Sequence, residues 1–252
     1  MSAEKTDALV IRQVDFSESS RVITLFTREF GKIGVMAKGA RRLKGPFDAA
    51  LDLLTACRIV FLRKSSGGLD LLTEAQLIQR FQPLAGQLSH LYAGYYIAEL
   101  LDVLSEDHDP HPHLYDEALT VLGRLAGPSR PGMNVLRFEM VLLREIGQLP
   151  AFDECVFCGQ SFEDVATAAE QRLFFKVSQG GLVCSRCQRE ETAHLEIGAG
   201  TVALLRSLSA ESLAWQNLTP SPQQARELRA VANSIFNHTL GRRPKMQRYL
   251  LV

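Results

Sequence analysis

The sequence predicts an α+β protein of several domains, in which a small five-stranded barrel is followed by a helical bundle with an inserted four-cysteine segment. Three observations predict this architecture. Short apolar and β-branched runs separated by turn residues fill roughly the first eighty residues. From about Leu84 the apolar residues follow a helical repeat. Two Cys-x-x-Cys pairs then interrupt the helical part.

The first segment contains five strand-forming runs, separated by turn material such as residues 17–20 and 65–68. The runs are Ala8–Val14, Arg21–Thr27, Gly31–Lys38, Cys57–Arg63 and Leu69–Leu77. Five short strands that close on themselves are the content of an OB-fold barrel, which offers a strand face and loops to single-stranded nucleic acid. A small SH3-like barrel would have much the same pattern, so the sequence leaves both folds open.

The middle of the chain is predicted to be a helical bundle, because three runs place apolar residues on one face of a helix. These are Leu88, Leu91, Tyr95, Ala98 and Leu101; Leu114, Ala118, Val121 and Leu125; and Leu136, Met140, Leu143 and Ile146. Phe138, Val141 and Leu142 add apolar residues on other sides of the third helix, which is therefore expected to be central. Residues 107–113 hold three histidines, but two prolines favour an irregular connection over a metal site.

The predicted domains are 1–80 for the OB-fold barrel, 81–150 for the helical domain, 151–195 for the zinc-binding segment and 196–252 for C-terminal helices packing on the helical domain. The whole chain has 28 basic and 28 acidic residues, but they are unevenly placed. The formal charge is +4 for residues 1–80, −5 for 81–150, −4 for 151–200 and +5 for 201–252. If the two basic ends meet in space, they form one positive surface for nucleic acid.

The third strand leads into a loop that carries four cations and no acid, namely Lys38, Arg41, Arg42 and Lys44. These charges repel one another unless an anion lies over the loop. Lys32 shares the strand parity of Lys38, so both are expected on one face, and all five cations are predicted to contact DNA phosphates. The alternative is a solvated hairpin tip whose charges only aid solubility.

Two cysteine pairs, Cys155 with Cys158 and Cys184 with Cys187, form the most specific motif of the chain. Each Cys-x-x-Cys turn places two thiolates about one tetrahedral edge apart, and two such turns supply four soft ligands to one structural Zn²⁺. Residues 174–177 followed by 178–181 predict a hairpin that returns the chain to the second pair. A redox role is the alternative, although two matched pairs exceed what a redox motif needs.

The C-terminal part is predicted to contain a helix that begins at the cap Ser221 and is stopped by Gly241. Beyond it lie Arg242, Arg243 and Lys245, which we expect to bind DNA as well. The alternative is that these cations only compensate the helix dipole.

Several of these stretches, taken in order, resemble the bacterial RecO family of DNA repair and recombination mediators. The resemblance is carried by residues 8–12, 19–27, 31–33, 37–42 and 72–74, by the two cysteine pairs and by residues 241–245. It implies a protein that binds single- and double-stranded DNA and anneals complementary strands. It also implies work with RecR, and in some cases RecF, to load RecA onto DNA coated by single-strand-binding protein.

The residues and the resemblance together predict a non-catalytic, cytoplasmic and nucleoid-associated protein with no membrane segment. A zinc hydrolase or nuclease is opposed by the saturated four-cysteine site. An RNA-binding or transcription-associated OB-fold zinc protein stays open, because phosphate contacts do not distinguish the sugar.

The resemblance also implies docking of the acidic, phenylalanine-ended tail of single-strand-binding protein. Such a tail needs an apolar groove with a cation at its rim. Arg137 and Arg144 lie seven residues apart on one predicted helix face and are the candidates for that rim. The alternative is that both arginines pair with Glu139, Glu145 or acids of a neighbouring helix.

Overall fold

The protein is described from a computed structural model, which covers residues 2–42, 47, 50–64, 67–162, 172–188 and 194–250. The chain folds into two compact units, Met1–Asn134 with Arg248–Leu250, and Val135–Gln247. The division falls within a helix and is coarser than the four predicted domains, whose boundaries stay a prediction. None of the described helices combines the length and the hydropathy needed to cross a membrane.

The first unit begins with a closed five-stranded barrel, which confirms the predicted strands. The strands are β1 (Ser2–Asp15), β2 (Arg21–Thr27), β3 (Gly31–Ala37), β4 (Ala56–Arg63) and β5 (Asp70–Gln79). Their order around the barrel is β1-β2-β3-β5-β4, with β1 also paired to β4, and β3 runs parallel to β5. This is the OB-fold order, so the structure decides between the two barrels that the sequence leaves open.

Strand β1 closes the barrel because it is long enough to serve both neighbours. Its first half pairs with β4 and its second half with β2, and the register shifts between Val10 and Arg12. Along β3 the burial alternates, with Ile33, Val35 and Ala37 inside the barrel. The parity predicted for this strand is therefore confirmed, and Lys32 and Lys38 face outward.

The helices of the first unit are α1 (Leu88–Leu104), α2 (Pro112–Ala126) and the start of α3 (Pro131–Glu145). The connection between α1 and α2 packs on the barrel where β3 begins. The His108 N–H donates to the Lys32 carbonyl over 3.0 Å, and Gly31 lies against the backbone of Asp109. Gly31 has a φ of +66°, and an added Cβ would lie 2.6 Å from the Asp109 nitrogen, so this contact requires glycine.

The second unit combines a small sheet with helices. The sheet has the order β7-β6-β8, and its strands are β6 (Arg172–Lys176), β7 (Gly181–Val183) and β8 (Leu195–Gly198). Strands β6 and β7 are antiparallel, which confirms the predicted hairpin. Helix α4 (Ala199–Ser209) and helix α5 (Pro222–Leu240) follow. Helix α5 begins at the predicted cap Ser221, which forms a capping box with Gln224, and it ends at the predicted stop Gly241, whose φ is +63°.

Helix α3 is central, as predicted, because every residue from Met133 to Leu143 is buried. Its Glu139 is fully buried and accepts hydrogen bonds from Arg229 of α5 through both carboxylate oxygens, at 2.6 and 2.5 Å. A buried charge needs such a partner, because its desolvation costs several kcal/mol. This ion pair connects α3 to α5 inside the second unit.

Candidate nucleic-acid interface and metal centre

A cleft of about 400 Å³ lies on the barrel between the β1–β2 loop and the end of β3. It is lined by Phe16, Ser17, Ser19, Ser20, Met36, Lys38, Gly39 and Arg42. No acid is among these residues, and the side chains of Lys38 and Arg42 make no hydrogen bond or ion pair within the described part of the chain. The cleft therefore presents two available cations beside an aromatic ring, in the β1–β2 loop region where OB folds bind oligonucleotides.

The β1–β2 loop is held by its own hydrogen bonds. The N–H groups of Phe16 and Ser17 donate to the Ser20 carbonyl over 3.0 and 3.3 Å, and the Ser20 N–H donates to the Ser17 hydroxyl over 3.2 Å. Phe16 sits in this loop with 67% of its surface exposed. A closed loop of this kind fixes the backbone that carries the ring before any ligand arrives.

Arg41 differs from Arg42, although the sequence treats the two alike. Its guanidinium donates to the Ser17 carbonyl over 2.7 Å and lies 3.5 Å from an Asp15 carboxylate oxygen. Its backbone N–H donates to the Ser19 carbonyl over 3.2 Å. Arg41 thus braces the β1–β2 loop, whereas Arg42 faces the cleft.

Lys32 corrects the expectation of a row of phosphate-facing cations. It has the predicted outward parity, but its ammonium donates to the Asp102 carbonyl over 2.8 Å and lies 3.5 Å from a carboxylate oxygen of Asp107. Only 15% of its side chain is exposed. Lys32 therefore secures the α1–α2 region to the barrel, and Lys44 lies outside the described residues.

The cations after α5 are all exposed, as a nucleic-acid contact requires. Arg242 and Lys245 lie on the surface, and Arg243 donates from Nε to the Gln247 side chain over 3.0 Å. Gln247 is buried and donates to Asn233 of α5 over 2.6 Å. The segment is thus held back against α5, and DNA binding by Arg242, Arg243 and Lys245 stays a prediction.

The four cysteines of the two pairs come together in the second unit. Their Sγ atoms all lie within 4.8 Å of one another, and those of Cys158 and Cys184 are 3.8 Å apart. A tetrahedral ion with sulfur ligands at about 2.3 Å requires Sγ separations of about 3.8 Å, so the cluster fits a metal of this kind. The same four residues that the sequence selects are therefore able to hold one ion.

Backbone contacts explain why the cysteines converge. The first turn is closed by the Gly159 N–H donating to the Cys155 carbonyl over 2.9 Å, with Gly159 at a φ of +67°. The second turn is closed by the Cys187 N–H donating to the Cys184 carbonyl over 3.0 Å. The Val156 N–H donates to the Leu182 carbonyl of β7, and the Cys184 N–H donates to the Cys155 Sγ over 3.4 Å, which connects the two turns.

The thiols titrate unequally. Burial alone would raise the pKa of Cys155, but backbone N–H donors from Cys184, Phe157 and Cys158 outweigh it and lower this pKa to about 6. For Cys184 burial also acts upward, and hydrogen bonds from Cys187 and Cys158 bring its pKa below the usual value. Hydrogen bonds to Cys158 and Cys184 raise the pKa of Cys187 to about 12. A lowered thiol pKa at Cys155 and Cys184 favours the thiolate form that a metal site requires.

The two arginines of α3 both hold the C-terminal end of α4. Arg137 is only 3% exposed and donates to the carbonyls of Leu208, over 2.7 Å, and Ala210. Arg144 is half-buried and donates to the Ser209 carbonyl over 3.0 Å. Both therefore satisfy carbonyls at the C-terminal end of α4, where the helix dipole favours cations. The burial of Arg137 corrects the expectation that this residue lies at the rim of a groove for a partner's tail.

Sequence reasoning missed the cleft residues contributed by the β1–β2 loop. Phe16, Ser17, Ser19 and Ser20 belong to a segment that the sequence presents only as turn material. Their role in a ligand-binding cleft can be inferred once the barrel is known to be an OB fold, because that fold binds ligands near this loop. The signal in the sequence is a single aromatic residue inside a serine-rich turn.

Comparison with known proteins identifies the class to which this fold and these sites belong. The family described as "Recombination protein O N terminal" matches residues 1–81, and "Recombination protein O C terminal" matches residues 85–248. The first match coincides with the barrel and the second begins just before α1.

Individual relatives match over nearly the whole chain. The DNA repair protein RecO of Rhodopirellula baltica is 36% identical over 266 residues, which cover 96% of this chain and 97% of that one. The DNA repair protein RecO of Anaeromyxobacter dehalogenans is 34% identical over 252 residues, with 99% and 96% covered. That of Listeria monocytogenes is 28% identical over 248 residues.

The chain belongs to the RecO family of DNA repair and recombination proteins. The resemblance drawn from the sequence is thereby confirmed. The family is non-enzymatic, in agreement with the prediction of a protein without a catalytic reaction.

Proposed function

We propose that this protein binds single- and double-stranded DNA through the barrel cleft. The observation that carries the proposal is the pair of available cations, Lys38 and Arg42, in a cleft with no acid in its lining. Phosphate contacts of this kind supply affinity without sequence preference. Such binding suits a repair protein that must act on any damaged sequence.

The wider activity that we propose is that of a recombination mediator. The protein anneals complementary strands and, with RecR and in some cases RecF, helps to load RecA onto DNA coated by single-strand-binding protein. Membership of the RecO family supports this proposal. The measurement that tests it is the rate of RecA filament formation on coated DNA, with and without this protein and RecR.

The test of the DNA site is the salt dependence of binding by the Arg42→Ala variant. If Arg42 contacts one phosphate, its loss lowers the slope of log K against log salt by about 0.7 for single strands and about 0.9 for duplex. The matched control is Arg80→Ala, because Arg80 is exposed and lies at the far end of β5 from the segment that pairs with β3. Unchanged slopes in Arg42→Ala would remove the cleft from the DNA interface.

A binding competition distinguishes DNA repair from the RNA-binding alternative. Unlabelled DNA and RNA of equal length and sequence compete for the protein against a labelled DNA oligonucleotide. We expect DNA to compete at least as well as RNA. A strong preference for RNA would favour an RNA-associated function of the same cleft.

We further propose that the four-cysteine cluster holds one structural Zn²⁺. Four thiolate ligands leave no open coordination position for water or substrate, so the ion serves folding and not catalysis. The main support is the convergence of the four Sγ atoms, and the lowered pKa values of Cys155 and Cys184 agree with it.

Docking of the acidic tail of single-strand-binding protein is proposed for the C-terminal end of α4, with Arg144 as the contact. Arg144 is the more accessible of the two predicted arginines, because it is half-buried whereas Arg137 is almost fully buried. Arg137, which is buried, holds the end of α4 through the Leu208 and Ala210 carbonyls. The test is titration of a fluorescent tail peptide against Arg144→Gln, with Arg226→Gln on the exposed surface of α5 as control. Equal affinity in the two variants would reject this site.

A further inference from the structure

We propose that Phe16 is a stacking platform for one unpaired base, and that it makes the barrel cleft selective for single strands. This inference rests on the proposed DNA-binding function and assigns the cleft a specific ligand, a single unstacked nucleotide. It depends on the position of the Phe16 ring, on the shape of the cleft and on the cations beside it.

The Phe16 ring is exposed on a segment of fixed backbone, as a stacking surface requires. Phe16 is 67% exposed, yet its backbone is fixed by the bond of its N–H to the Ser20 carbonyl. A singly exposed apolar residue needs no explanation by itself. Here, however, the ring lines a cleft together with Lys38 and Arg42, so a base on the ring has cations available for its phosphates.

Arg41 makes this platform rigid. Its guanidinium holds the carbonyl of Ser17, the residue directly after Phe16, and its backbone N–H holds the carbonyl of Ser19. A preorganised loop loses little conformational entropy when the ligand binds, and this raises affinity. Arg41 is therefore a positioning residue, which acts on the nucleotide through the loop.

The size of the cleft favours a single nucleotide. Its volume of about 400 Å³ is at the lower end of the roughly 300–1,000 Å³ that is usual for small-molecule pockets. In a duplex both faces of each base are covered by neighbouring bases, so the ring can be used only after unstacking, which costs free energy. The cations serve both forms of DNA, whereas the ring serves the single strand.

The experiment compares two variants on two ligands, oligo(dT) and a duplex of equal length. Phe16→Ala is expected to bind oligo(dT) about 5- to 150-fold more weakly, with an unchanged salt slope, because stacking contributes about 1–3 kcal/mol per base. Its duplex affinity is expected to stay unchanged. Arg42→Ala is expected to lower the salt slope for both ligands.

Two further variants separate stacking from packing. Phe16→Leu keeps an apolar side chain without an aromatic face and is expected to lose the affinity, whereas Phe16→Trp is expected to keep it. The only tryptophan of the chain, Trp215, is 3% exposed, so quenching by oligo(dT) in Phe16→Trp beyond that of wild type reports stacking on the introduced indole. Leu88→Ala, which removes another exposed apolar side chain of the first unit, is the control.

The outcomes are distinct. If Phe16→Ala binds oligo(dT) as wild type does while Arg42→Ala is impaired, the stacking proposal is wrong and the DNA-binding cleft stands. If Phe16→Ala weakens oligo(dT) and duplex binding equally, selectivity for single strands is wrong. If neither variant changes binding to either ligand, both this inference and the proposed cleft fail. Thermal unfolding of each variant establishes that the protein is folded.

Discussion

The four-cysteine cluster and the barrel cleft are both built on short loops beside β-strands, but their functional groups are arranged in opposite ways. In the cluster four Sγ atoms converge within 4.8 Å, and Cys155 and Cys184 are buried. In the cleft Lys38 and Arg42 are exposed, and their side chains have no partner within the described residues. The first arrangement is closed around one point and the second is open to solvent.

The difference shows whether the interaction free energy of each site stabilises the fold or is available for a ligand. A closed thiolate site binds its ion as the chain folds, so the binding free energy is also folding free energy. The cations and ring of the cleft are exposed, so most of their interaction free energy is available for a ligand. Substitutions in the cluster should therefore change stability, and substitutions in the cleft should change affinity.

The largest expected effect is that of Cys158→Ser. Structural zinc contributes an apparent binding free energy of about 10–16 kcal/mol in small zinc domains, so losing one of four ligands should lower metal content and thermal stability together. Metal analysis and thermal unfolding of the same preparations measure both quantities. Cys57→Ser is the control, because it removes a buried thiol from the barrel core and should leave the metal content unchanged. A wild-type protein that contains no metal would contradict this assignment.

Gly31→Ala is expected to lower the stability of the protein. Gly31 lies at the start of β3, at the end of the barrel opposite the cleft. The φ of +66° costs a residue with a side chain about 1–2 kcal/mol, and the new Cβ would also collide with the Asp109 backbone. Gly67→Ala shares the positive φ, at +74°, but has nothing within 4 Å of the added atom. Chemical denaturation should show a clearly larger loss for Gly31→Ala, and equal losses would refute the close packing of the α1–α2 connection on β3.

Lys32 in β3 and Lys38 directly after it allow a structural cation to be compared with an available one along a single strand. Lys38→Ala should reduce the salt slope of oligo(dT) binding by about 0.7 with little change in stability. Lys32→Ala should leave the slope unchanged and lower the free energy of unfolding by about 1.5 kcal/mol, because a charged hydrogen bond to the Asp102 carbonyl is lost. Reversed results would exchange the roles given to the two ends of β3.

The smallest effect is expected for Arg41→Ala, which removes the brace of the β1–β2 loop. Losing its bond to the Ser17 carbonyl should cost about 1 kcal/mol or less of local stability. Amide hydrogen exchange at Phe16 and Ser17 measures this loosening, since both N–H groups donate to the Ser20 carbonyl. Arg42→Ala is the matched control and should leave the exchange of these amides as in wild type.

Much of the fold could be predicted because it depends on local pattern. The five strands, the parity along β3, the capping box at Ser221 and the stop at Gly241 all follow from neighbouring residues in the chain. The cysteine cluster could be predicted for the same reason, since each pair is set by one short turn. The strand order could not, because pairing β3 with β5 depends on contacts far apart in sequence.

Periodicity and the cysteine spacing by themselves predicted a five-stranded barrel, a helical part and four candidate metal ligands, and particular stretches of the sequence carried the resemblance to the RecO family. Only the tertiary structure decided which cations are available. Lys32, Arg41 and Arg137 are all used to hold neighbouring segments, through carbonyls at Asp102, Ser17 and Leu208. The physical reason is that a charge has the same sequence signature whether its partner is a backbone carbonyl or a ligand. What separates the two cases is the placement of distant carbonyls, and this arises only when the chain is folded.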